Sequence, residues 1–394
     1  MARRFSKPML VLGLVLLIAF PVFSQDGSKG WTPESMIKIK RVGGTAISAD
    51  GSRIAYTLST PMMEGEKSEF LTHIWIVSSD GSENRQFTYG EQSCTSPSFS
   101  PDGSFLSFLS SRGQGAKNQV WVMSMRGGEA EQVTSAKAGV SSYAWSLDSK
   151  RLAYIASDPE TEQEEKARKE KRDMVVEDTN FKYGCLYAIP FAKDEKGERK
   201  TLRLTGGLFH VTSFSWSPDG KMIVFAHQAT PQVDDWQTSD ISIVPSDSGA
   251  VKPLVRWSGS DASPRYSPDG KWILFASDKG DLKWAQISDL YVIAAEGGEP
   301  RKLAETPDRN VGSGIWAADG KTIYASETDK TVSRVYALPV DGGRVHVVTA
   351  GSGNYSGTAI SKDGNTMSFI HQTPEVAPDI YVTQVRTFEP RKLT

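Results

Sequence analysis

The sequence predicts an all-β fold, a seven-bladed β-propeller of four-stranded antiparallel blades, and three observations carry that prediction. The tetrapeptide Ser-Pro-Asp-Gly or a near copy occurs seven times: Ser48-Ala49-Asp50-Gly51, Ser100-Pro101-Asp102-Gly103, Ser146-Leu147-Asp148-Ser149, Ser217-Pro218-Asp219-Gly220, Ser267-Pro268-Asp269-Gly270, Ala317-Ala318-Asp319-Gly320 and Ser361-Lys362-Asp363-Gly364. Successive aspartates are 52, 46, 71, 50, 50 and 44 residues apart, and a period near fifty is the mark of a propeller blade. Each period holds four apolar segments punctuated by Gly turns, which is one blade's worth of strands.

The elements follow in a fixed order within each unit. A short first strand ends in an aromatic or apolar residue, as in Ser213-Phe214-Ser215-Trp216, and the Asp-Gly turn comes next. Asp bonds the backbone two residues on and Gly accepts a positive φ, so a tight hairpin is expected there. An alternating second strand follows, such as Lys271-Trp272-Ile273-Leu274-Phe275, then a variable loop and a third strand such as Gln119-Val120-Trp121-Val122-Met123. A second turn, at Gly127-Gly128, Gly297-Gly298 or Gly342-Gly343, leads to a last strand ending in Phe87-Thr88, Val133-Thr134, Leu204-Thr205 and their equivalents. Trp145, Trp216 and Trp316 recur in phase just before the turn, and Trp75 and Trp121 sit in third strands, so all five are assigned to the core between blades.

The 71-residue interval comes from an insert in the third unit, Asp158 to Gly184. Its Glu160 to Arg172 portion places Glu162 with Lys166, Glu164 with Arg168 and Glu165 with Lys169, pairs that support an exposed helix. Ahead of the repeats, residues 1–24 read as a signal peptide. Arg3, Arg4 and Lys7 precede the apolar run Met9 to Phe20, and Val22-Phe23-Ser24 offers a cleavage site before Gln25. The run is shorter than a bilayer-spanning helix. The expected location is therefore outside the cytoplasm, periplasmic or secreted, with membrane attachment only if the segment stays uncleaved. Residues 25–36 form a lead-in, and the propeller is expected over 37–394.

Composition narrows the function classes. With 35 Gly, 20 Pro and a formal charge of −2, the chain is turn-rich and nearly neutral, and it has no basic surplus for nucleic acid. Cys94 and Cys185 stand at different strand positions of neighbouring units, which does not suit a disulfide, so each reads as a small hydrophobe. The strained Gly-x-Ser-x-Gly elbow of α/β-hydrolases is absent. The five histidines, His73, His210, His227, His346 and His371, lack metal-ligand spacing and read as locally satisfied. The sequence thus offers no catalytic residue, no metal site and no cofactor site, and the chain as given reads as non-catalytic.

Two segments give the repeats a family likeness. Trp31-Thr32-Pro33-Glu34-Ser35-Met36-Ile37-Lys38-Ile39-Lys40-Arg41-Val42 leads into the first unit, and Gly139-Val140-Ser141-Ser142-Tyr143-Ala144-Trp145-Ser146 precedes Asp158-Pro159-Glu160-Thr161-Glu162 and the charged run. Together they resemble the N-terminal propeller of the prolyl oligopeptidase family of serine peptidases, in its acylaminoacyl-peptidase and dipeptidyl-peptidase branch. The repeats alone also resemble TolB-type periplasmic propellers, and a stand-alone interaction module of that sort is the alternative. The family's catalytic Ser, Asp and His belong to an α/β-hydrolase domain that follows its propeller, and none of them has a counterpart here. The resemblance implies a lid and size filter for peptides rather than chemistry.

Strand order then sorts the connections. If the first strand of each blade is innermost, the Asp-Gly and Gly-Gly turns share one face. The second-to-third and blade-to-blade connections, with both propeller ends, share the other. The expected partner, peptide or a peptidase or other protein domain, would dock on that second face. Phe181 and Tyr183 at the end of the insert, Trp236 after Asp234-Asp235, and Trp284 after Lys283 all belong to it, and large aromatics in loops are enriched at contact surfaces. These four are the candidate peptide- or partner-binding residues.

Overall fold

The computed structural model describes residues 32–113, 117–172, 174, 179–280, 287–349 and 351–394. The expected signal segment lies outside them, as do most of the lead-in and Trp284. The chain divides into two compact units, Met1–Ile39 and Lys40–Thr394. In the first, α1 (Pro33–Ile37) is a short helix started by Pro33 and by a capping box between Thr32 and Ser35.

The second unit is the seven-bladed propeller. Blade 1 is β1 (Arg41–Ile47), β2 (Arg53–Glu64), β3 (Lys67–Ser78) and β4 (Asn84–Gln86), and blade 2 is β5 (Cys94–Phe99), β6 (Phe105–Ser110), β7 (Gln119–Ser124) and β8 (Glu131–Gln132). Blade 3 is β9 (Val140–Trp145), β10 (Arg151–Ser157), β11 (Gly184–Pro190) and β12 (Leu202–Arg203), with α2 (Glu162–Lys169) inserted between β10 and β11. Blade 4 is β13 (His210–Trp216), β14 (Met222–Gln228), β15 (Asp240–Pro245) and β16 (Lys252–Val255). Blade 5 is β17 (Asp261–Tyr266), β18 (Trp272–Ser277), β19 (Asp289–Ala294) and β20 (Arg301–Lys302). Blade 6 is β21 (Gly314–Trp316), β22 (Thr322–Asp329), β23 (Val332–Pro339) and β24 (His346–Val347). Blade 7 is β25 (Asn354–Ile360), β26 (Thr366–Gln372), β27 (Asp379–Gln384) and β28 (Arg391–Lys392). Every sheet contains only consecutive strands in antiparallel order, so no strand is exchanged between the first and last blades.

The repeated tetrapeptide is a hydrogen-bonded latch. In six blades the serine hydroxyl donates to the aspartate at 2.5 to 2.7 Å. The same oxygen accepts the backbone N–H that opens the second strand at 2.9 to 3.0 Å. In all seven, the aspartate accepts the N–H two residues on at 2.8 to 3.1 Å. The fourth residue needs the left-handed backbone, φ +60 at Ser149 and +66 to +76 at the six glycines, which explains why Gly dominates there. The terminal Thr of the last strand has a parallel duty. Thr88, Thr134, Thr205, Thr349 and Thr394 each accept the third strand's N–H at 2.9 to 3.1 Å, closing the sheet where its outer strand is too short to do so.

The core lies between blades. Seven apolar clusters occur among the described residues, and each joins two neighbouring blades. One of them closes the ring, with Ile54, Tyr56 and Val77 of blade 1 packed against Ile370, Ile380 and Val382 of blade 7. Across the same seam Thr45 donates to the Gly357 carbonyl and Arg391 to the Ser79 carbonyl. Trp145, Trp216 and Trp316 are buried as expected. Each indole N–H also reaches the preceding blade: Trp145 donates to Ser107 Oγ at 2.8 Å, Trp216 to the Ala144 carbonyl at 3.2 Å and Trp316 to the Arg265 carbonyl at 3.1 Å. Trp75 and Trp121 are only partly buried against their clusters. Both cysteines are buried and unpaired.

Trp216→Ala should lower stability by about 3–5 kcal/mol, from a large void and the lost cross-blade bond. Trp216→Phe should cost much less, and the two midpoints in a denaturant titration decide. The latch also sets an acid limit. For Asp50, Asp269 and Asp363 the serine hydroxyl is the main influence, and for Asp219 the N–H of Lys221; each carboxyl lies below its ordinary pKa. At Asp102 and Asp148 partial burial pushes upward, but the hydrogen bonds from serine and backbone outweigh it. Because these folded-state values are depressed, their stabilisation is complete above about pH 5 and is lost as pH falls through about 4 and below. The melting temperature should therefore drop over that acid range, and Asp219→Asn with Asp269→Asn should flatten the drop.

Candidate functional site

The two ends of the ring differ in chemistry. On the end carrying the second-to-third connections, the blade 3 insert is more than a solvated charge run. Its helix α2 begins with a capping box in which Thr161 accepts the Glu164 N–H and Glu164 turns back to the Thr161 N–H. That reversal takes Glu164 away from Arg168. Glu164 pairs instead with Lys182 at 2.7 Å, and Arg168 pairs with Glu160 at 3.1 Å, while the expected Glu165–Lys169 pair forms at 2.7 Å. The Lys182 ammonium, with the Thr161 N–H, holds the Glu164 carboxyl at about 2.

This strap brackets two of the candidate aromatics. Phe181 and Tyr183, on either side of Lys182, are half-buried and meet edge to face at 6.1 Å. Nearby, Asp158 Oδ1 accepts from Arg203 at 3.0 Å, and the same guanidinium lies 2.9 Å from Cys185 Sγ. Trp236 is half-buried in a 3-10 helix, Val233–Thr238, one blade further round. The structure thus brings Phe181 and Tyr183 together, puts Trp236 on another connection of the same end, and says nothing of Trp284.

Sequence reasoning looked for aromatics there and missed the aliphatic residues. Leu208, in the connection from blade 3 to blade 4, is 90% exposed, and Val233 is 81% exposed. Met63, Phe70, Tyr89 and Ile287 are further exposed apolar residues of this end. Among the described residues of the opposite end, Leu147, Leu202, Trp272 and Val347 are the exposed large apolar side chains of the turns and their flanks. The available signal was position: Leu208 follows Gly206-Gly207 and Val233 follows Pro231, where no strand pattern requires an apolar residue.

The opposite end holds a cavity. The inner strands and turns of blades 3 to 7 surround about 720 Å³ at the channel mouth, walled by Leu147, Phe214, Pro218, Arg265, Tyr266 and Pro268 among others. A smaller chamber of about 270 Å³ is lined by the inner strands of blades 5 to 7 together with Tyr324, Ser326 and Val335 of blade 6. Arg265 borders both.

The titratable groups do not assemble into catalytic machinery. No group of three or more His, Cys, Asp or Glu converges on a metal-sized point among the described residues. His227 lies 2.8 Å from Ser242 Oγ, but both are buried inside blade 4, and burial pulls the imidazole down to about 4. His210 accepts the Gly184 N–H at 2.8 Å, and His371 contacts the Ser352 carbonyl at 3.1 Å. Asp261 is pushed up to about 6 by burial while accepting from Ser277 Oγ at 2.7 Å and the Trp257 N–H at 3.2 Å.

Comparison with known proteins follows from this geometry. The profile of the TolB β-propeller domain (PD40) matches residues 38–181 and 237–394. Dipeptidyl-peptidase 5 of Porphyromonas gingivalis is 28% identical over 378 residues, which cover 89% of this chain and 53% of that protein. The chain spans about half the length of the curated relatives it matches in full. Among solved structures, Pyrococcus horikoshii acylaminoacyl peptidase superposes with a TM-score of 0.68 at 19% identity, over 92% of this chain and 54% of that one. The β-propeller domain of the trilobed protease from Pyrococcus furiosus, described as having an open velcro topology, gives 0.64 at 16% identity, over 91% and 98%. At these identities the two structures speak to the fold alone.

Lys182→Ala should release the insert without unfolding the ring. Trypsin cleavage between Lys166 and Arg172 should accelerate several-fold while the melting temperature holds, because a partly exposed pair on an inserted connection is worth only about 0–1 kcal/mol to the whole fold.

Proposed function

The chain belongs to the PD40 family of TolB-type β-propellers, and from that premise we propose that it is the non-catalytic propeller partner of a prolyl-oligopeptidase-type α/β-hydrolase domain. Its role is to bind or gate peptides by steric selection, outside the cytoplasm. The observation that carries this reading is the concentration of exposed apolar side chains, Leu208 and Val233 foremost, on the end that also bears the insert helix and the half-buried Phe181, Tyr183 and Trp236. Exposed apolar side chains gathered on one end of a ring are what a contact surface requires. The alignment with dipeptidyl-peptidase 5 along most of this chain supports a peptidase context. The other reading, a stand-alone interaction propeller, is supported by the cavity at the opposite mouth, which a partner on the apolar end leaves uncovered.

A dipeptidyl-peptidase 5-type hydrolase domain mixed with the purified chain should associate through the apolar end and cleave short peptides in preference to folded proteins. Leu208→Asp with Val233→Asp, or Trp236→Ala, should weaken association by about 2 kcal/mol or more, whereas Lys221→Ala on the turn end should leave it unchanged. The isolated chain should give no turnover of dipeptidyl or acyl-peptide reporters. Equal association of all variants, or turnover by the isolated chain that a serine-reactive inhibitor abolishes, would sink the proposal.

A further inference from the structure

The repeat exposes one residue that breaks its own rule. The position two before the turn serine is Ala46, Ser98, Ala144, Ser215, Ile315 and Ala359 in six blades, or the equivalent place before Ala317 in blade 6. In blade 5 it is Arg265. Six neutral residues, mostly small, suit an inner strand that faces a narrow axis. The guanidinium there is exposed, a departure that neither the turn nor the packing between blades requires.

The backbone that carries it is shared with other inner strands, which slip in the same way at Gly44, Ser96 and Gly357, so blade 5 differs in the residue and not in the bulge. The pairing of β17 with β18 slips between Ala262 and Arg265, and Ser263 takes the left-handed conformation with φ +53. A bulge of this kind re-aims the side chain that follows. The Arg265 carbonyl is held by the Trp316 indole N–H at 3.1 Å, so its main chain is fixed from the neighbouring blade. Among the described residues the Arg265 side chain makes no hydrogen bond and no ion pair, whereas Arg151, in blade 3, donates to Ser246 Oγ and the Gly220 carbonyl. Its surface stays open to the channel although protein crowds it around the ring, and that crowding lowers its pKa.

The surroundings define the ligand. Arg265 and the exposed Lys362 are the charged residues lining the larger cavity, and no acid lines it. The turn aspartates nearby are directed to their own serines and backbone N–H groups instead. Apolar walls come from Leu147, Phe214, Pro218, Tyr266 and Pro268. In the adjoining chamber Thr358 Oγ1 is a buried hydroxyl without a protein partner. A volume of about 720 Å³ is within the range of small-ligand sites. One planar fork, with a single ammonium elsewhere on the lining, matches one carboxylate better than a multiply charged phosphate.

We propose that the turn-end mouth of the channel is a binding site for a carboxylate carried on an apolar body, with Arg265 as its bidentate partner and the Phe214–Tyr266 wall taking the apolar group. Two sources share this chemistry, the C-terminus of a peptide ending in an aromatic residue and a small aromatic acid. The site lies at the opposite end from the docking surface and does not depend on it.

Calorimetric titration of the full chain at neutral pH tests it with three probes: a tripeptide ending in phenylalanine, its C-terminal amide, and phenylacetate. The free-acid peptide should bind at least about tenfold more tightly than the amide. Phenylacetate binding as tightly as the peptide acid assigns the site to small acids, and weaker binding assigns it to peptide termini. Arg265→Gln should remove the acid-over-amide preference, Arg265→Lys should keep part of it, and neither should lower the melting temperature. Leu147→Asp, on the exposed rim, should weaken both acids and not the amide, which keeps the test valid if an Arg265 variant fails to fold. Equal binding of acid and amide, no binding of either acid at about 10 mM, or an acid preference that survives Arg265→Gln or Leu147→Asp would each overturn the assignment.

Discussion

A serine hydroxyl buried at the end of six of the seven inner strands does two things at once: it donates to the turn aspartate and accepts the first N–H of the next strand. Because a one-residue slip would turn every side chain of the hairpin to the wrong face, this pair of bonds sets which residues meet the neighbouring blade. In blades 3 and 4 the tryptophan just before the serine is thereby committed to the interface, and its indole N–H to a group on the preceding blade. Blade 6 lacks the serine, having Ala317, and its inner strand is the three-residue Gly314–Trp316, against six or seven residues in the others. The shortened strand leaves room for the smaller chamber beside Arg265.

The division of labour between the two ends follows from an even number of antiparallel strands per blade. Both tight turns fall on one end, where the latch restrains sequence and length. The longer connections and the chain's passage between blades fall on the other, where the fold tolerates the α2 insert, the extended β2–β3 hairpin and residues such as Leu208 that contribute nothing to the core. Most of the variation thus falls on the end proposed to meet a partner, the long connection between β11 and β12 of blade 3 being an exception. The ring itself is closed by apolar packing of blade 1 on blade 7 rather than by a shared strand, so the seam has the same kind of interface as the other six.

Local periodicity determined most of what could be known without coordinates. The blade count, four strands per blade, the positive-φ turn residue, the buried tryptophans and the helix in the insert are all short-range signals, because a tight turn or a strand is written within a few residues. The partner of Glu164 was not legible, since the choice between Arg168 on its own helix and Lys182 beyond it depends on how the cap turns the carboxyl back. The placement of Phe181 beside Tyr183 needed the path of the insert, and their candidate partner Trp236 belongs to a different blade. The axial cavity was invisible for a different reason. It is walled by short runs of residues from blades 3 to 7, separated by about one repeat in sequence and joined only when the ring closes. Arg265 stood in the sequence as a departure from its repeat, but whether a departure is paired, exposed or aimed into a channel is settled by the neighbours that closure brings around it, and only the tertiary structure supplies those.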